Sequence, residues 1–101
     1  DELEHALRLD PENSNALNSL GFILADSGRD PRRAVEYCRR ALRRSPRNPA
    51  YQDSLGWAYY RLGQVDEARD VLRSALEAAP GNKEIAAHLR EVMRHASGAA
   101  T

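Results

Sequence analysis

The sequence is poor in cysteine, in aromatic residues, in net charge and in long apolar runs. Its single cysteine, Cys38, excludes an internal disulfide bond. The 15 Lys and Arg residues balance 15 Asp and Glu residues, which argues against the overall basicity typical of nucleic-acid-binding domains. No apolar run approaches the ~20 residues of a membrane-spanning helix, so no membrane span is expected.

What the sequence does contain favours a folded helical domain. Hydrophobic residues make up 42% and charged residues 30% of the chain, a balance that excludes a disordered polyelectrolyte. Its 101 residues correspond to one domain or part of one. Alanine, leucine and arginine predominate, as is typical of helical proteins. The opening residues 2–11 resemble the end of a helix, so we expect a piece of a longer protein.

Two segments of the chain repeat each other. SLGFILADSG (19–28) aligns with SLGWAYYRLG (54–63) at an offset of 35 residues. Downstream, AVEYCRRALRRSPRNP (34–49) aligns with ARDVLRSALEAAPGN (68–82) at an offset of 34 residues. The extra residue lies in the turn between the two motifs, where insertions are tolerated. A repeat of this length indicates a supersecondary unit that stacks on its neighbours.

Within each repeat the apolar residues follow the helical period. Gly28 and Gly63 stand where a helix is expected to end, because glycine readily adopts the left-handed conformation of helix ends. Pro46 and Pro80 follow the second helix of each unit and prevent its continuation. The sequence therefore predicts six helices, at residues 1–9, 13–27, 31–45, 49–62, 65–79 and 82–96.

The pattern resembles the tetratricopeptide repeat. In the first full repeat the matching residues are Leu17, Leu20, Gly21, Leu24, Ala34, Cys38, Ala41 and Pro46. In the second they are Gln52, Leu55, Gly56, Tyr59, Ala68, Leu72, Ala75 and Pro80. Gln52 departs from the pattern, and Tyr51 or Trp57 could fill its space. The small residues are expected at close helix contacts, with Gly21 and Gly56 on one helix and Ala34 and Ala68 on its partner.

This resemblance implies an all-α, right-handed superhelical solenoid of antiparallel helix pairs. The expected units are the second helix of a truncated repeat, a first and a second full repeat, a C-terminal capping helix and a flexible tail, at residues 1–12, 13–48, 49–82, 83–96 and 97–101. The chain is also similar to the last repeats of bacterial multi-repeat scaffold proteins and envelope lipoproteins. That similarity favours a bacterial scaffold, in the cytoplasm or in the periplasm and envelope.

No catalytic motif is present, so neither an enzyme nor a cofactor is expected. Cys38 lies on the apolar face of its helix and is predicted to be a core residue. Glu84, His88, Glu91 and His95 form a polar stripe along the last predicted helix. A straight helix presents only two such groups to one metal ion, so a site would need outside ligands. We therefore expect a solvated face with Glu–His pairs and no metal.

The third predicted helix is strongly basic. Eight arginines stand between Arg29 and Arg47, with Asp30 and Glu36 as the only acidic residues. Phosphate or anionic lipid could bind such a surface. The resemblance places this helix, at residues 31–45, on the convex side. A solvated face, or a contact with the N-terminal part of the longer protein that is missing from this sequence, is favoured there over nucleic acid or another anion.

The resemblance also implies a concave groove lined by the first helix of each repeat, in which a peptide or helix of a partner protein binds. Phe22 and Trp57 are expected side by side in it, with Trp57 as the main contact, although both could instead pack between helices. Asn13 or Asn15 could cap a helix. The groove acids disfavour an acidic C-terminal peptide, and homo-oligomeric end-to-end stacking is the alternative function. The candidate partner-binding residues are Asn15, Asn18, Phe22, Asp26, Asp53, Trp57, Tyr60, Arg61 and Glu91.

Overall fold

The computed structural model describes residues 2–100, with side chains for residues 2–96. Six α-helices form this described part of the chain: α1 (Glu2–Leu9), α2 (Ser14–Ser27), α3 (Pro31–Arg44), α4 (Pro49–Leu62), α5 (Val65–Ala78) and α6 (Lys83–Ala100). The first five agree with the predicted helices to within one residue at each end. In this range no helix is long and apolar enough to cross a membrane.

The last helix differs from its prediction, because α6 continues to Ala100 instead of ending at residue 96. Gly98 lies inside this helix, and an interior glycine costs only ~1 kcal/mol relative to alanine, so it does not by itself stop the helix. The predicted tail at 97–101 lies outside the residues whose side chains are described, and it stays a prediction.

The helices are arranged in two layers of consecutive antiparallel pairs. α2 packs against α3, and α4 packs against α5. The first helices of successive units are also neighbours, since α2 contacts α4 and α4 contacts α6. The second layer is formed by α3 and α5, while α1 packs on α2. Consequently α2, α4 and α6 present one continuous surface on the side away from α3 and α5, here called the groove.

Two glycines allow the paired helices to approach closely, as predicted. A β-carbon at Gly21 would lie 2.5 Å from the sulfur of Cys38 and 3.1 Å from the carbonyl oxygen of Ala34. A β-carbon at Gly56 would lie 2.6 Å from Cγ of Leu72. All three distances are shorter than van der Waals contact, so these positions have no room for a side chain.

The helix ends have the expected local causes. Asn13 accepts a hydrogen bond from the backbone of Ala16, so Asn13 and not Asn15 caps α2. Asn48 caps α4 in the same way. Gly28 ends α2 with a φ of 71° and Gly63 ends α4 with a φ of 92°, both in the left-handed region that favours glycine.

The core lies between the two layers and is continuous from α2 to α6. Cys38 is fully buried within it, and burial raises the pKa of its thiol to about 12. Tyr51 is buried beside Leu17 and Ala41 and thus occupies core space next to the unusual Gln52. The prediction of a structural, non-nucleophilic Cys38 therefore agrees with its surroundings.

Candidate functional site

A cavity of about 390 Å³ opens in the groove where α2, α4 and the start of α6 meet. Asn18, Phe22 and Ile23 line it from α2, Asp53 lines it from α4, and Glu84 lines it from α6. We call it the three-helix pocket. Since all its walls come from first helices, it lies on the surface where the sequence places partner binding.

Asp53 and His88 join α4 to α6 behind this pocket. Oδ1 of Asp53 lies 2.8 Å from Nδ1 of His88, and the side chains are 8% and 16% exposed, respectively. This hydrogen bond is the main reason why the pKa of His88 is raised, and the negative charges of Asp53, Glu84 and Asp26 act in the same direction against the effect of burial. Asp53 was predicted as a groove contact, but it is buried and already engaged with a neighbouring helix.

His88 also changes the predicted arrangement of the aromatic residues. Its ring stacks on Trp57 with centroids 4.4 Å apart, and it lies 6.4 Å from the ring of Phe22. Phe22 and Trp57 therefore each contact His88, and no ring contact joins them directly among the described residues. The reason is that α6 inserts His88 at the junction between α2 and α4.

Trp57 is less available to a partner than the sequence suggested. Its ring lies 5.0 Å from that of Tyr60, and it packs against the main core. Its indole Nε1 is buried and has no hydrogen-bond partner among the described residues. Of the two aromatics, Phe22 lines the three-helix pocket, whereas Trp57 is not among its lining residues. Of the two alternatives for Trp57, contact with a partner or packing between helices, packing between helices fits this environment better.

Tyr60 and Glu91 form a second contact between α4 and α6. The Tyr60 hydroxyl donates a hydrogen bond of 2.9 Å to Glu91, which also pairs with Arg94 at 2.6 Å and with His95 at 3.3 Å. The bond from Tyr60 is the main reason why the pKa of Glu91 is lowered. The predicted Glu–His pairing on this helix face is therefore present at Glu91 and His95.

The remaining candidate residues lie in different environments. Asn15 accepts a hydrogen bond from the Tyr51 hydroxyl, which ties α2 to α4. Asp26 and Arg61 are exposed, and a guanidinium nitrogen of Arg61 would lie 2.8 Å from a β-carbon at Gly28. Asn18 is different, because its Oδ1 is buried without a hydrogen-bond partner in the described part of the chain.

Sequence reasoning missed the grouping of Asp53 with Glu84 and His88. One ligand atom from each of these three residues lies within 4.8 Å of the others. A signal was available, because Asp53 and His88 are separated by 35 residues, one more than the 34 residues between the equivalent positions Gly56 and Arg90. Such residues occupy neighbouring first helices in nearly the same register, which could have indicated their contact.

The basic helix α3 makes contacts with the N-terminal part of the chain. Arg40 donates hydrogen bonds to the carbonyl oxygen of Pro11 at 2.8 Å and to Glu12 at 3.4 Å. Arg44 donates to the carbonyl oxygen of Glu12 at 3.1 Å. Arg33 and Arg40 also lie over the ring of Tyr37. Part of the positive charge of α3 is thus engaged within the fold, and the preference for a solvated face over an anion site stays a prediction.

Comparison with known proteins agrees with this architecture. The family model for the tetratricopeptide repeat matches residues 1–49 and 22–83. A TPR repeat-containing protein of Pseudomonas aeruginosa is 40% identical over 90 residues, which are 89% of this chain and 15% of that protein. This chain therefore spans a small part of that bacterial relative.

Solved structures show the same fold. A mutant O-GlcNAc transferase of Thermobaculum terrenum matches with a TM-score of 0.85 and 28% identity, over 90% of this chain and 17% of that one. The first TPR domain of Spaghetti (RPAP3), bound to the HSP90 peptide SRMEEVD, matches with a TM-score of 0.82 and 19% identity, over 94% of this chain and 75% of that one. The family match and the paired helices lead to one conclusion: this chain belongs to the tetratricopeptide repeat family, whose domains are protein-interaction modules.

Proposed function

We propose that this chain binds a peptide or helix of a partner protein in its groove, as part of a larger scaffold protein, and that it has no catalytic role. The observation that carries the proposal is the three-helix pocket, in which apolar surface adjoins a buried acceptor that no donor of the described residues reaches. Protein interfaces characteristically combine an apolar anchor with a few oriented polar groups.

The apolar part of the pocket is supplied by α2. Ile23 is a large hydrophobic residue that is 52% exposed, and Phe22 lies beside it in the pocket lining. Neighbouring exposed apolar side chains of this kind are a suitable contact for an apolar residue of a partner. Burying both against a partner would remove apolar surface from water, which stabilises the complex by about 25 cal/mol per Å².

The polar part of the pocket is the Asn18 amide. Its buried Oδ1 lacks a donor within residues 2–96, and an unsatisfied buried polar group typically costs ~1–3 kcal/mol. A backbone N–H group of a bound segment would satisfy this oxygen. The pairing of Asn18 with an adjacent apolar contact at Phe22 therefore supports a ligand with an exposed main chain and one apolar side chain.

The charge around the pocket restricts the partner. Asp53 and Glu84 line it, and Asp26 is exposed at the C-terminal end of α2. Carboxylates in this position repel an acidic ligand such as the peptide SRMEEVD, which is bound by the structural neighbour Spaghetti (RPAP3). We therefore propose a partner segment that is neutral or basic where it enters the pocket.

The proposal is tested by selecting binders from a library of random peptides displayed on phage. We expect an enriched consensus with one apolar residue and no acidic cluster. Phe22→Ala should weaken binding of the selected peptide, measured by calorimetry, by about tenfold or more. Arg43→Ala, on the opposite layer in α3, is the control and should stay within about twofold of the wild type. Equal binding by the Phe22 variant, or loss in the Arg43 variant, would show that the groove is not the site.

The alternative, end-to-end stacking, has one observation in its favour and one against it. An open cavity of about 1000 Å³ between α5 and α6 is lined in part by Leu76, Leu89 and Met93, which are apolar. Arg90 also lines this cavity. It is the eighth residue of α6, and the eighth residues of α2 and α4 are Gly21 and Gly56. A further helix could not approach α6 as closely as paired helices approach elsewhere, because Arg90 occupies the glycine position.

Analytical ultracentrifugation separates the two functions. The groove proposal expects a monomer across the accessible concentration range, whereas stacking expects association that grows with concentration. Arg90→Ala should promote association if the apolar cavity is a latent docking surface, and Lys83→Ala, which removes a charge elsewhere on α6, is the matched control. A wild-type chain that already forms oligomers at low concentration would favour stacking.

A further inference from the structure

We propose that Asp53, Glu84 and His88 form a binding site for a divalent transition-metal ion, for which Zn²⁺ has the most suitable chemistry. The site lies in the groove at the contact between α4 and α6. It shares Asp53 and Glu84 with the three-helix pocket but does not rest on the proposed function, because a metal could bind there whether or not a partner segment occupies the groove.

The geometry brings three ligand groups together from two helices. Glu84 and His88 are one turn apart on α6 and therefore lie on the same face. Asp53 comes from α4, and one ligand atom of each residue lies within 4.8 Å of the other two. A tetrahedral ion with bonds of about 2.0–2.2 Å needs ligand atoms a little over 3 Å apart. The ion would therefore replace the hydrogen bond between Asp53 and His88, and the three side chains would adjust around it.

The helix α6 alone presents only two ligands to one ion, and Asp53 of α4 supplies the third. The sequence shows two Glu–His pairs on α6 with the same spacing, Glu84 with His88 and Glu91 with His95. Among the described residues, only the first pair is joined by a third metal-ligating group, the carboxylate of Asp53. In the second pair, Glu91 instead accepts a hydrogen bond from the Tyr60 hydroxyl.

The donor atoms select the type of metal. One imidazole nitrogen and two carboxylate oxygens form a mixed set, whereas Mg²⁺ and Ca²⁺ prefer oxygen ligands alone. Zinc is commonly held by histidine and carboxylate, and three protein ligands leave a fourth position open. Water or a group of a bound partner could take that position, since Asp53 and Glu84 line the three-helix pocket.

Neighbouring residues hold the histidine in position. The indole ring of Trp57 stacks on the imidazole ring of His88 at 4.4 Å with an interplanar angle of 24°. Asp53 and His88 are both largely buried, with side chains 8% and 16% exposed. Ligands restrained before binding lose little side-chain entropy when the metal arrives, which increases affinity.

An independent feature of the pocket also points to a positively charged or hydrogen-donating ligand. The buried Oδ1 of Asn18 has no donor among the described residues, and Asn18 lines the same cavity as Asp53 and Glu84. A metal-bound water molecule can donate a hydrogen bond to such an oxygen. The pocket thus joins two carboxylates to an unsatisfied acceptor, an environment suited to a hydrated cation.

The experiment titrates the metal-free chain with ZnCl₂, followed by calorimetry and by the fluorescence of Trp57. Trp57 is the only tryptophan and stacks on a proposed ligand, so its emission should change on binding. We expect one ion per chain. Co²⁺ should give the visible absorption of a low-coordinate site, which an ion attached loosely through one carboxylate would not give.

Three variants decide the assignment. Glu84→Gln should fold normally because Glu84 is exposed, and it should weaken Zn²⁺ binding by about tenfold or more. His88→Ala should abolish binding. His95→Ala is the matched control, since His95 has the same i,i+4 relation to a glutamate on the same helix, and it should stay within about twofold of the wild type.

Two results would overturn the proposal. One is the absence of heat and of a fluorescence change with the wild-type chain up to about 1 mM Zn²⁺, which corresponds to less than ~4 kcal/mol of binding free energy. The other is unchanged binding by Glu84→Gln together with its loss in His95→Ala, which would place the ion at the second Glu–His pair.

Discussion

Asp53 of α4 and His88 of α6 are 35 residues apart in the sequence, yet Oδ1 of Asp53 lies 2.8 Å from Nδ1 of His88. This contact connects the last full repeat to the final helix. It also positions the imidazole ring against Trp57 and next to the three-helix pocket. One buried pair therefore contributes to both the cohesion of the fold and the chemistry of its groove.

The Asp53–His88 pair predicts that stability depends on pH. The pKa of His88 is raised above the ordinary value of 6.5, so the stabilisation is fully present below about pH 6.5 and is lost as the pH rises through the raised value. In the presence of EDTA, the melting temperature of the wild type should therefore fall as the pH rises above about 6.5. Circular dichroism at 222 nm measures it.

A matched pair of variants isolates this effect. His88→Asn should lower the melting temperature at the acid end and flatten the pH dependence, since the ionisable partner of Asp53 is gone. His95→Asn changes an exposed histidine outside this contact and should keep the wild-type slope. An identical slope in the His88 variant would mean that the pair does not determine the pH dependence.

Phe22 and Trp57 should respond differently to truncation. Trp57 packs against the core and stacks on His88, so Trp57→Ala should destabilise the fold by about 2 kcal/mol or more. Phe22 lines the pocket, so Phe22→Ala should cost less stability and act mainly on partner binding. Urea denaturation gives both values. A Trp57 variant as stable as the wild type would place that ring at the surface, as the sequence had suggested.

Gly56 should tolerate no side chain. A β-carbon there would lie 2.6 Å from Cγ of Leu72, so Gly56→Ala should destabilise the protein by ~1–3 kcal/mol although alanine is the better helix former. In a domain of this size the melting temperature should fall by about 4 °C or more. Gly81→Ala is the control, because a β-carbon at Gly81 meets nothing within 4 Å. A Gly56 variant more stable than wild type would contradict the close helix contact.

Cys38 should be unreactive in the folded protein. Its pKa of about 12 leaves about one thiolate in ten thousand molecules at pH 8, and its side chain is fully buried. Labelling with a maleimide should be undetectable on a scale of minutes in native buffer and rapid in guanidinium chloride. Rapid native labelling would indicate that α3 opens frequently from α2.

Most of the fold could be predicted from the sequence because its signals are local. Gly28 and Gly63 end helices through backbone conformation, and Asn48 begins one through a hydrogen bond to its own first turn. Gly21 and Gly56 mark close contacts because only glycine leaves room for the partner helix. These preferences act within one or two helical turns, and the same signals occur again in each repeat. Six helices and their pairing could therefore be predicted.

The candidate site was decided by tertiary structure. The sequence placed Phe22 and Trp57 on one surface, but the packing of α6 brought His88 to contact both rings. It assigned Asp53 to an open groove, whereas the contact between α4 and α6 buried it. Whether a side chain is exposed, paired or, like Asn18 in the described part of the chain, left without a donor depends on the distance between helices. That distance results from the packing of the whole core, and no local pattern in the sequence specifies it.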